Sequence, residues 1–230
     1  MQLPYGLWNG KIDADLVANR SRVSDLKWKD DGSGLVFTAK STLFRKNNGQ
    51  PLEAVQTGHG VYGSLAYGGG DLDVHGDLTV FCSGDNGLFC VRDGSDRAVQ
   101  LTNDRFDRST PVISPNGKYV AYITSDGVHD QIALLELSDY AWPRLWIKGA
   151  DFYMQGEWSP DGLHFAWTEW DHPEMPWTGS RVMLADVDPN SMNLKNIRCI
   201  AGGRPDPAAQ PHFSPDGKKL AYIVASGDWE

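Results

Sequence analysis

Short apolar runs with an alternating pattern recur along the chain, each directly after a polar turn. The clearest is YVAYIT at 119–124, which follows the turn Ser-Pro-Asn-Gly at 114–117. Period-two alternation rich in β-branched and aromatic residues predicts β-strands. Helical periodicity is not evident over any long stretch, and ADLVANRS at 14–21 is the only helix-like segment. The pattern therefore predicts an all-β protein.

This turn-and-strand unit is repeated, with five copies that align without gaps. The regular copies are SPNGKYVAYI at 114–123, SPDGLHFAWT at 159–168 and SPDGKKLAYI at 214–223, and the weaker ones are KDDGSGLVFT at 29–38 and DVHGDLTVFC at 73–82. A glycine column contains Gly32, Gly76, Gly117, Gly162 and Gly217. Four residues later, a small column contains Val36, Val80, Ala121, Ala166 and Ala221. The next position is an aromatic column of Phe37, Phe81, Tyr122, Trp167 and Tyr222.

Each column has a physical reason. Proline sets the first corner of the turn, Asp or Asn bonds back to the backbone, and glycine takes the positive φ that ends a tight hairpin. Successive side chains of a strand point to opposite faces, so the small and aromatic columns must lie on different faces of one sheet. We expect one face to pack closely on a neighbouring sheet and the other to present a large ring to the opposite neighbour.

The spacing of the copies predicts the architecture. Successive glycines of the column are 44, 41, 45 and 55 residues apart. A period near this length with four strands per repeat is typical of a β-propeller blade. We therefore predict a lead-in at 1–22 and a partial β-propeller at 23–230, with blades starting near 23, 65, 109, 154 and 208. The last blade is expected to hold only its first two strands, which gives about four and a half blades.

Composition and charge narrow the function. The net charge of −9 would repel phosphate backbones and anionic membrane surfaces, which disfavours nucleic acid and membrane partners. No secretory signal and no apolar segment long enough to cross a bilayer is visible, and the three cysteines form no disulfide framework. We expect a cytoplasmic protein. The six histidines have no metal-ligand spacing, and no cofactor motif is present, so no metal or cofactor is expected.

At this point the motifs show a family resemblance. The run GADFYMQGEWSPDGLHFAWTEWDHPEMPWTGSRVMLADV at 149–187 resembles the strand, "WDHPxMPW" loop and next strand of propellers in the prolyl oligopeptidase family of serine peptidases, especially the acylaminoacyl-peptidase and dipeptidyl-peptidase-like members. PYGLWNGKIDADLV at 4–17 is similar to the family's "PYGSW" start, and YGGG at 67–70 is similar to its "HEYGGG". The Ser-Pro-Asp-Gly turn alone is less specific, because the propeller of the Tol system also contains it.

The resemblance implies that the propeller and the catalytic activity belong to separate domains. In that family a propeller precedes an α/β-hydrolase domain whose serine lies in G-x-S-x-G. No serine of this chain has glycine at both positions two residues away, so the hydrolase domain is expected to be absent and the chain alone is not expected to hydrolyse peptides. The implied role is to gate the active site of a parent enzyme and to help position short peptides. Leu65-Ala66 replaces the family's His-Glu, which places the parent's specificity or activity in question.

The loop WDHPEMPWTGS at 170–180 is the sharpest local candidate, predicted between the second and third strands of the fourth blade. Its candidate residues are Trp170, Asp171, His172, Glu174 and Trp177. In a substrate-contact interpretation, either carboxylate receives a substrate ammonium, the tryptophans wall a pocket, and the histidine orients its neighbouring aspartate. In a structural interpretation, prolines and tryptophans stiffen the loop and Asp171 bonds loop backbone.

Two functions remain open on the sequence alone. The first is the propeller portion of a serine peptidase, whose partners are short peptides and the missing hydrolase domain. The alternative is a propeller scaffold for protein partners without peptidase activity. In either case a homo-oligomer is possible, and the incomplete last blade is expected to leave a strand edge that pairs or aggregates.

Overall fold

The computed structural model describes residues 23–65, 70–84, 87–95, 97–138 and 141–227, and the helix-like segment at 14–21 lies outside these ranges. The first sheet contains β1 Val23–Trp28, β2 Gly34–Ala39, β3 Thr42–Asn47 and β4 Glu53–Val55. The second contains β5 Leu72–His75, β6 Leu78–Ser83, β7 Gly87–Arg92 and β8 Val99–Gln100. The third contains β9 Asp107–Ile113, β10 Tyr119–Ser125, β11 Asp130–Glu136 and β12 Arg144–Ile147.

The fourth sheet contains β13 Phe152–Trp158, β14 His164–Trp170, β15 Arg181–Val187 and β16 Leu194–Gly202, with the short helix α1 Pro176–Gly179 between its second and third strands. The fifth contains only β17 Ala208–Phe213 and β18 Leu220–Val224. Each sheet is antiparallel with its strands in sequence order. First strands of successive sheets contact one another, so they surround a common axis. The prediction of a partial β-propeller with about four and a half blades is confirmed.

Blade packing follows the two predicted columns. Val36 of the first sheet shares a buried cluster with Phe81 of the second. Val80 and Tyr122 share the next cluster. Ala121 and Trp167 share the third. In each case the small residue of one blade faces the ring of the next, because a small side chain leaves room for the ring between two closely packed sheets.

The fifth blade shows the same pattern from its open side. Ala166 of the fourth blade is fully buried, whereas Tyr222 of the fifth keeps 38% of its surface exposed and Ala221 is exposed. Within the described residues, the fifth sheet has a neighbouring sheet on one face only. Its apolar residues therefore have the blade pattern without the blade's usual burial.

The Ser-Pro-Asp-Gly turn is held by its own side chains. At Ser159 the hydroxyl donates to Asp161 Oδ1 (2.6 Å) and accepts the backbone N–H of His164 (2.9 Å). Gly162 has φ +70° and donates its N–H to the carbonyl of Ser159 (2.8 Å). The turns at Ser114 and Ser214 repeat these bonds within 0.1 Å. Positive φ at the last corner explains why glycine is the repeated residue.

Acid sensitivity of this turn can be tested by one substitution. The hydrogen bond from the Ser159 hydroxyl, helped by the Leu163 N–H, lowers the pKa of Asp161. A carboxyl with a lowered folded-state pKa stabilises the fold above its unfolded pKa, and this contribution is lost as pH falls through the lowered value. We expect Asp161→Asn to unfold like the wild type at neutral pH but to lose less stability between about pH 5 and about pH 2.5. Urea unfolding at both pH values measures this.

The third blade offers the matched control, because Asn116 already occupies the equivalent position there and accepts the Ser114 hydroxyl at 2.7 Å. Asn116→Asp is therefore expected to increase the loss of stability in acid. Equal acid sensitivity of wild type and both variants would contradict the role of the turn carboxylate.

The cysteines are free thiols. Cys82 lies opposite Leu88, and Cys90 lies opposite Val80, so the two thiols are not cross-strand partners. Burial raises the pKa of Cys82 and of Cys90. Both therefore act as small apolar side chains in the packing of the second blade.

Candidate functional site

The candidate loop lies on one particular end of the propeller. Because the strands are antiparallel, the Ser-Pro turns lie at one end, and the loops between second and third strands lie at the other together with the connections between sheets. We call this second end the loop face. The segment 170–180 belongs to it and contains α1.

Asp171 is held from two sides. Its Oδ2 accepts a hydrogen bond from Arg181 (2.7 Å), and its Oδ1 accepts the backbone N–H of Asp151 (3.1 Å). Arg181 also contacts Glu169 at 3.2 Å, so the cluster of two carboxylates and one guanidinium has a net charge of −1. The Asp171 side chain stays 41% exposed. It thus has both a structural partner and access to solvent.

His172 and Trp170 both pack on Phe152. The Trp170 ring stacks on Phe152 with centroids 5.2 Å apart, and the His172 imidazole meets it edge-on at 4.9 Å. Trp170 is only 2% exposed. It therefore supports the loop from the core instead of presenting its ring to a ligand. The backbone N–H of His172 donates to Asp151 Oδ2 (2.9 Å), which fixes the start of the loop to the connection entering the fourth blade.

Glu174 and Trp177 differ in exposure. Glu174 pairs with Arg204 Nε at 2.7 Å, and the Arg204 side chain is 74% exposed. Trp177 on α1 is 62% exposed. Gly179 lies directly beside the Glu174 side chain. A Cβ at position 179 would lie 2.5 Å from Glu174 Cγ, so a larger residue would clash with it. Of the five candidates, His172 and Trp177 are exposed, Asp171 and Glu174 are partly buried, and Trp170 is buried.

Ser180 anchors the end of the loop and was not predicted from the sequence. It is fully buried, and its hydroxyl lies 2.6 Å from the carbonyl of Pro176 and 2.8 Å from that of Ala208. Its carbonyl accepts the N–H groups of Gly203 (2.9 Å) and Ala208 (3.0 Å). The loop is therefore bonded to the connection entering the fifth blade. One serine in Thr-Gly-Ser carries no pattern from which this could be inferred.

Leu65, which stands where the resembling family has histidine, packs against the core cluster that contains Trp170. Ala66 lies outside the described residues. An apolar side chain at 65 is thus accommodated by burial and contributes no polar group to the loop face.

An axial cavity of about 600 Å³ is a second feature that sequence reasoning missed. The first strand of every sheet lines it, and each contributes one residue of the set Lys27, Asp73, Val112, Glu157 and His212, with further lining residues from three of these strands. In four of the five copies this residue stands five positions before the turn glycine, a periodicity that could have revealed it. Lys27 lies 3.6 Å from Asp73, and His212 lies 2.7 Å from Glu157. Burial raises the pKa of Asp73.

The described part of the chain contains no group of three or more His, Cys, Asp or Glu side chains placed to hold a metal ion. In the same ranges, no helix is long and apolar enough to span a bilayer.

The fold is that of a partial β-propeller, and comparison with solved structures gives two peptidases among the proteins it resembles. A puromycin-hydrolyzing peptidase of Mycobacterium tuberculosis matches with a TM-score of 0.78 and 25% identity, over 96% of this chain and 38% of that one. A puromycin hydrolase matches with a TM-score of 0.75 and 27% identity, over 97% of this chain and 38% of that one. The resemblance to prolyl oligopeptidase family propellers is confirmed.

A curated relative points to a second group of propellers. The chain is 27% identical over 200 residues to a protein TolB homolog of Chlorobium chlorochromatii, which covers 83% of this chain and 41% of that protein. The sequence matches no model of a protein family. The chain thus spans less than half the length of each of these three proteins.

Proposed function

We propose that this chain is the non-catalytic propeller portion of a serine peptidase, which gates access to the active site and helps to position short peptides. The observation that carries the proposal is the match to two puromycin-hydrolyzing enzymes over nearly the whole chain, at 25% and 27% identity. Acylaminoacyl or dipeptidyl specificity is part of the proposal, drawn from the motif at 149–187. We also place the protein in the cytoplasm, in keeping with its three free thiols.

In this proposal, the propeller covers the active site, admits short peptides and excludes folded proteins. The cavity of about 600 Å³ between the first strands, of a size that holds a small ligand, supports a route along the axis. The contact of Lys27 with Asp73 and the hydrogen bond between His212 and Glu157 keep this cavity polar.

Positioning is assigned to the loop face. Its carboxylates are held by Arg181, Asp151 and Arg204, so a substrate meets them already oriented and little rotamer entropy is lost on binding. The net negative charge of the Glu169, Asp171 and Arg181 cluster favours a cationic group. In this proposal the peptide's ammonium binds Asp171 or Glu174, and Trp177 covers an apolar side chain.

The gene sequence beyond codon 230 tests whether the chain is part of a serine peptidase. Translation beyond Glu230 is expected to give further blades and then G-x-S-x-G before an aspartate and a histidine. A stop codon soon after a closing blade would remove the peptidase proposal.

Loop variants of the full-length protein test the substrate contact. A charge-assisted hydrogen bond contributes about 1.5–3 kcal/mol, so we expect Glu174→Gln or Asp171→Asn to lower kcat/KM about tenfold or more for substrates with a free amino terminus. Substrates with a blocked amino terminus should be hydrolysed at unchanged rates. Glu53→Gln on the outer strand of the first blade, with a half-exposed carboxylate, is the matched control. Unchanged kcat/KM for both loop variants would leave only the structural role of the loop.

A protein-binding propeller is the second candidate, favoured by the similarity to a TolB homolog over 83% of the chain. In that case the loop face would contact a protein and not a peptide terminus. The full-length protein would then show no peptidase activity, and Trp177→Ala would weaken capture of its protein partner without affecting any hydrolysis.

A further inference from the structure

Trp142 is the most exposed large apolar side chain among the described residues, with 89% of its surface open to solvent. It lies between β11 and β12, on the outer rim of the third blade and away from the axis. A single exposed apolar residue is ordinary on a protein surface, so the surroundings of Trp142 decide whether it marks a binding site.

Two cavities share Trp142 as a lining residue, and Ala141 also lines both. The first cavity, of about 390 Å³, extends to Gln100 and Asn103 at the end of the second blade. The second, of about 300 Å³, extends to Met192 in the fourth blade. We call these two cavities and the indole between them the rim site. The three sheets that form it have four strands each, so the site does not depend on the half-blade of β17 and β18.

Hydrogen bonds fix the walls of both cavities. Arg144 Nη2 donates to the carbonyl of Met192 at 2.8 Å, and Trp146 Nε1 donates to the same carbonyl at 2.7 Å. On the other side, the backbone N–H of Leu88 donates to Thr102 Oγ1 at 3.0 Å. Arg144 and Thr102 themselves line the cavities. A ligand therefore meets walls that are already ordered, and little conformational entropy of the protein is lost on binding.

We propose that the rim site binds a proline-rich segment of a partner protein, in polyproline II conformation and with a basic residue beside the prolines. Such segments bind to grooves lined by aromatic residues, and Trp142 and Tyr119 supply the rings here. The three-residue turn of this helix places every third residue on one side, about 9 Å apart, so two of them can enter the cavities on either side of one indole. The proposal does not rest on peptidase activity.

Polar groups of the rim site favour the same occupant. A polyproline II helix has no internal hydrogen bonds, so its carbonyls need donors, and the exposed amides of Gln100 and Asn103 supply them in the first cavity. Glu136 lines the second cavity, is exposed, and has no ion-pair partner in the described part of the chain. Its carboxylate is therefore available to a Lys or Arg of the segment, and the net charge of −9 attracts a basic partner.

Titration with a defined peptide tests the proposal. The probe is a fluorescently labelled peptide of six prolines with an arginine at each end, and its anisotropy is measured with the full-length protein at up to about 1 mM. We expect saturable binding that Trp142→Ala weakens about tenfold or more, because truncation of a central aromatic anchor removes much of the affinity. Glu136→Gln is expected to weaken it about two- to fivefold, as for an exposed ion pair.

Two controls separate this site from general attraction. Val128→Ala should bind the peptide like the wild type, since Val128 is 78% exposed in the same blade but lies between β10 and β11. A peptide with Gly and Ser in place of the prolines should bind about tenfold more weakly, because it loses more conformational entropy on becoming extended. Circular dichroism checks that each variant is folded.

Several outcomes would overturn the proposal. They are absence of saturable binding, equal binding of the two peptides, and unchanged affinity in a folded Trp142→Ala variant. Light scattering examines a rival occupant: a wild-type dimer that dissociates in Trp142→Ala would show that a second copy of the chain covers the rim site, and the proline-rich partner would then be wrong.

Discussion

Replacing Trp167 by alanine is expected to lower the free energy of unfolding by about 3–5 kcal/mol, the usual cost of truncating a buried tryptophan. The side chain is 1% exposed and belongs to the cluster that joins the third and fourth blades. Its indole Nε1 also donates to Glu169 Oε2 at 2.7 Å, so the variant loses a charge-assisted hydrogen bond as well as packing. Urea unfolding followed by circular dichroism measures the difference.

The repeat itself supplies the control for this prediction. Tyr222 occupies the same position of the aromatic column in the fifth blade but keeps 38% of its surface exposed. Tyr222→Ala is therefore expected to cost about 1 kcal/mol or less. If the two variants lose equal stability, burial between blades is not what the aromatic column provides.

The different outcome at these two positions shows what a repeat can predict. Gly117, Ala121 and Tyr122 are related by local rules: a turn glycine, then two neighbouring residues on opposite faces. Such rules act within a few residues, so the strands, the turns and the direction of blade packing follow from the sequence. How well each ring is buried depends on the next blade, which no local pattern contains.

The candidate loop shows the complementary failure. Its place between β14 and β15 follows from the repeat, and its prolines and tryptophans mark it as stiff. The residues that hold it, Asp151, Ser180 and Arg204, lie in other segments or in unremarkable sequence and meet the loop only through the fold. The sequence alone leaves Trp170 open to both interpretations, because composition does not distinguish a ring that supports a loop from one that lines a pocket.

A charge cluster between the first and second blades gives the second large effect. Asp93, which directly follows β7, pairs with Lys29 and, at 2.9 Å, with Arg45 Nε. Lys29 is 7% exposed and Arg45 1%, so both cations are nearly withdrawn from water. Two buried cations that share one carboxylate depend on it, because removing one partner leaves uncompensated charge in a medium that solvates it poorly.

Asp93→Asn is therefore expected to lower the free energy of unfolding by about 3 kcal/mol, the lower end for a broken buried pair, because Glu53 still approaches Arg45 at 3.4 Å. The matched control is Asp77→Asn in the same blade, since Asp77 pairs with Arg92 while both side chains are more than half exposed. An exposed pair contributes about 0–1 kcal/mol, and added salt weakens it further. The loss in Asp93→Asn should instead persist in high salt. A small, salt-sensitive effect at Asp93 would mean that water reaches Lys29 and Arg45, and that packing alone joins the first two blades.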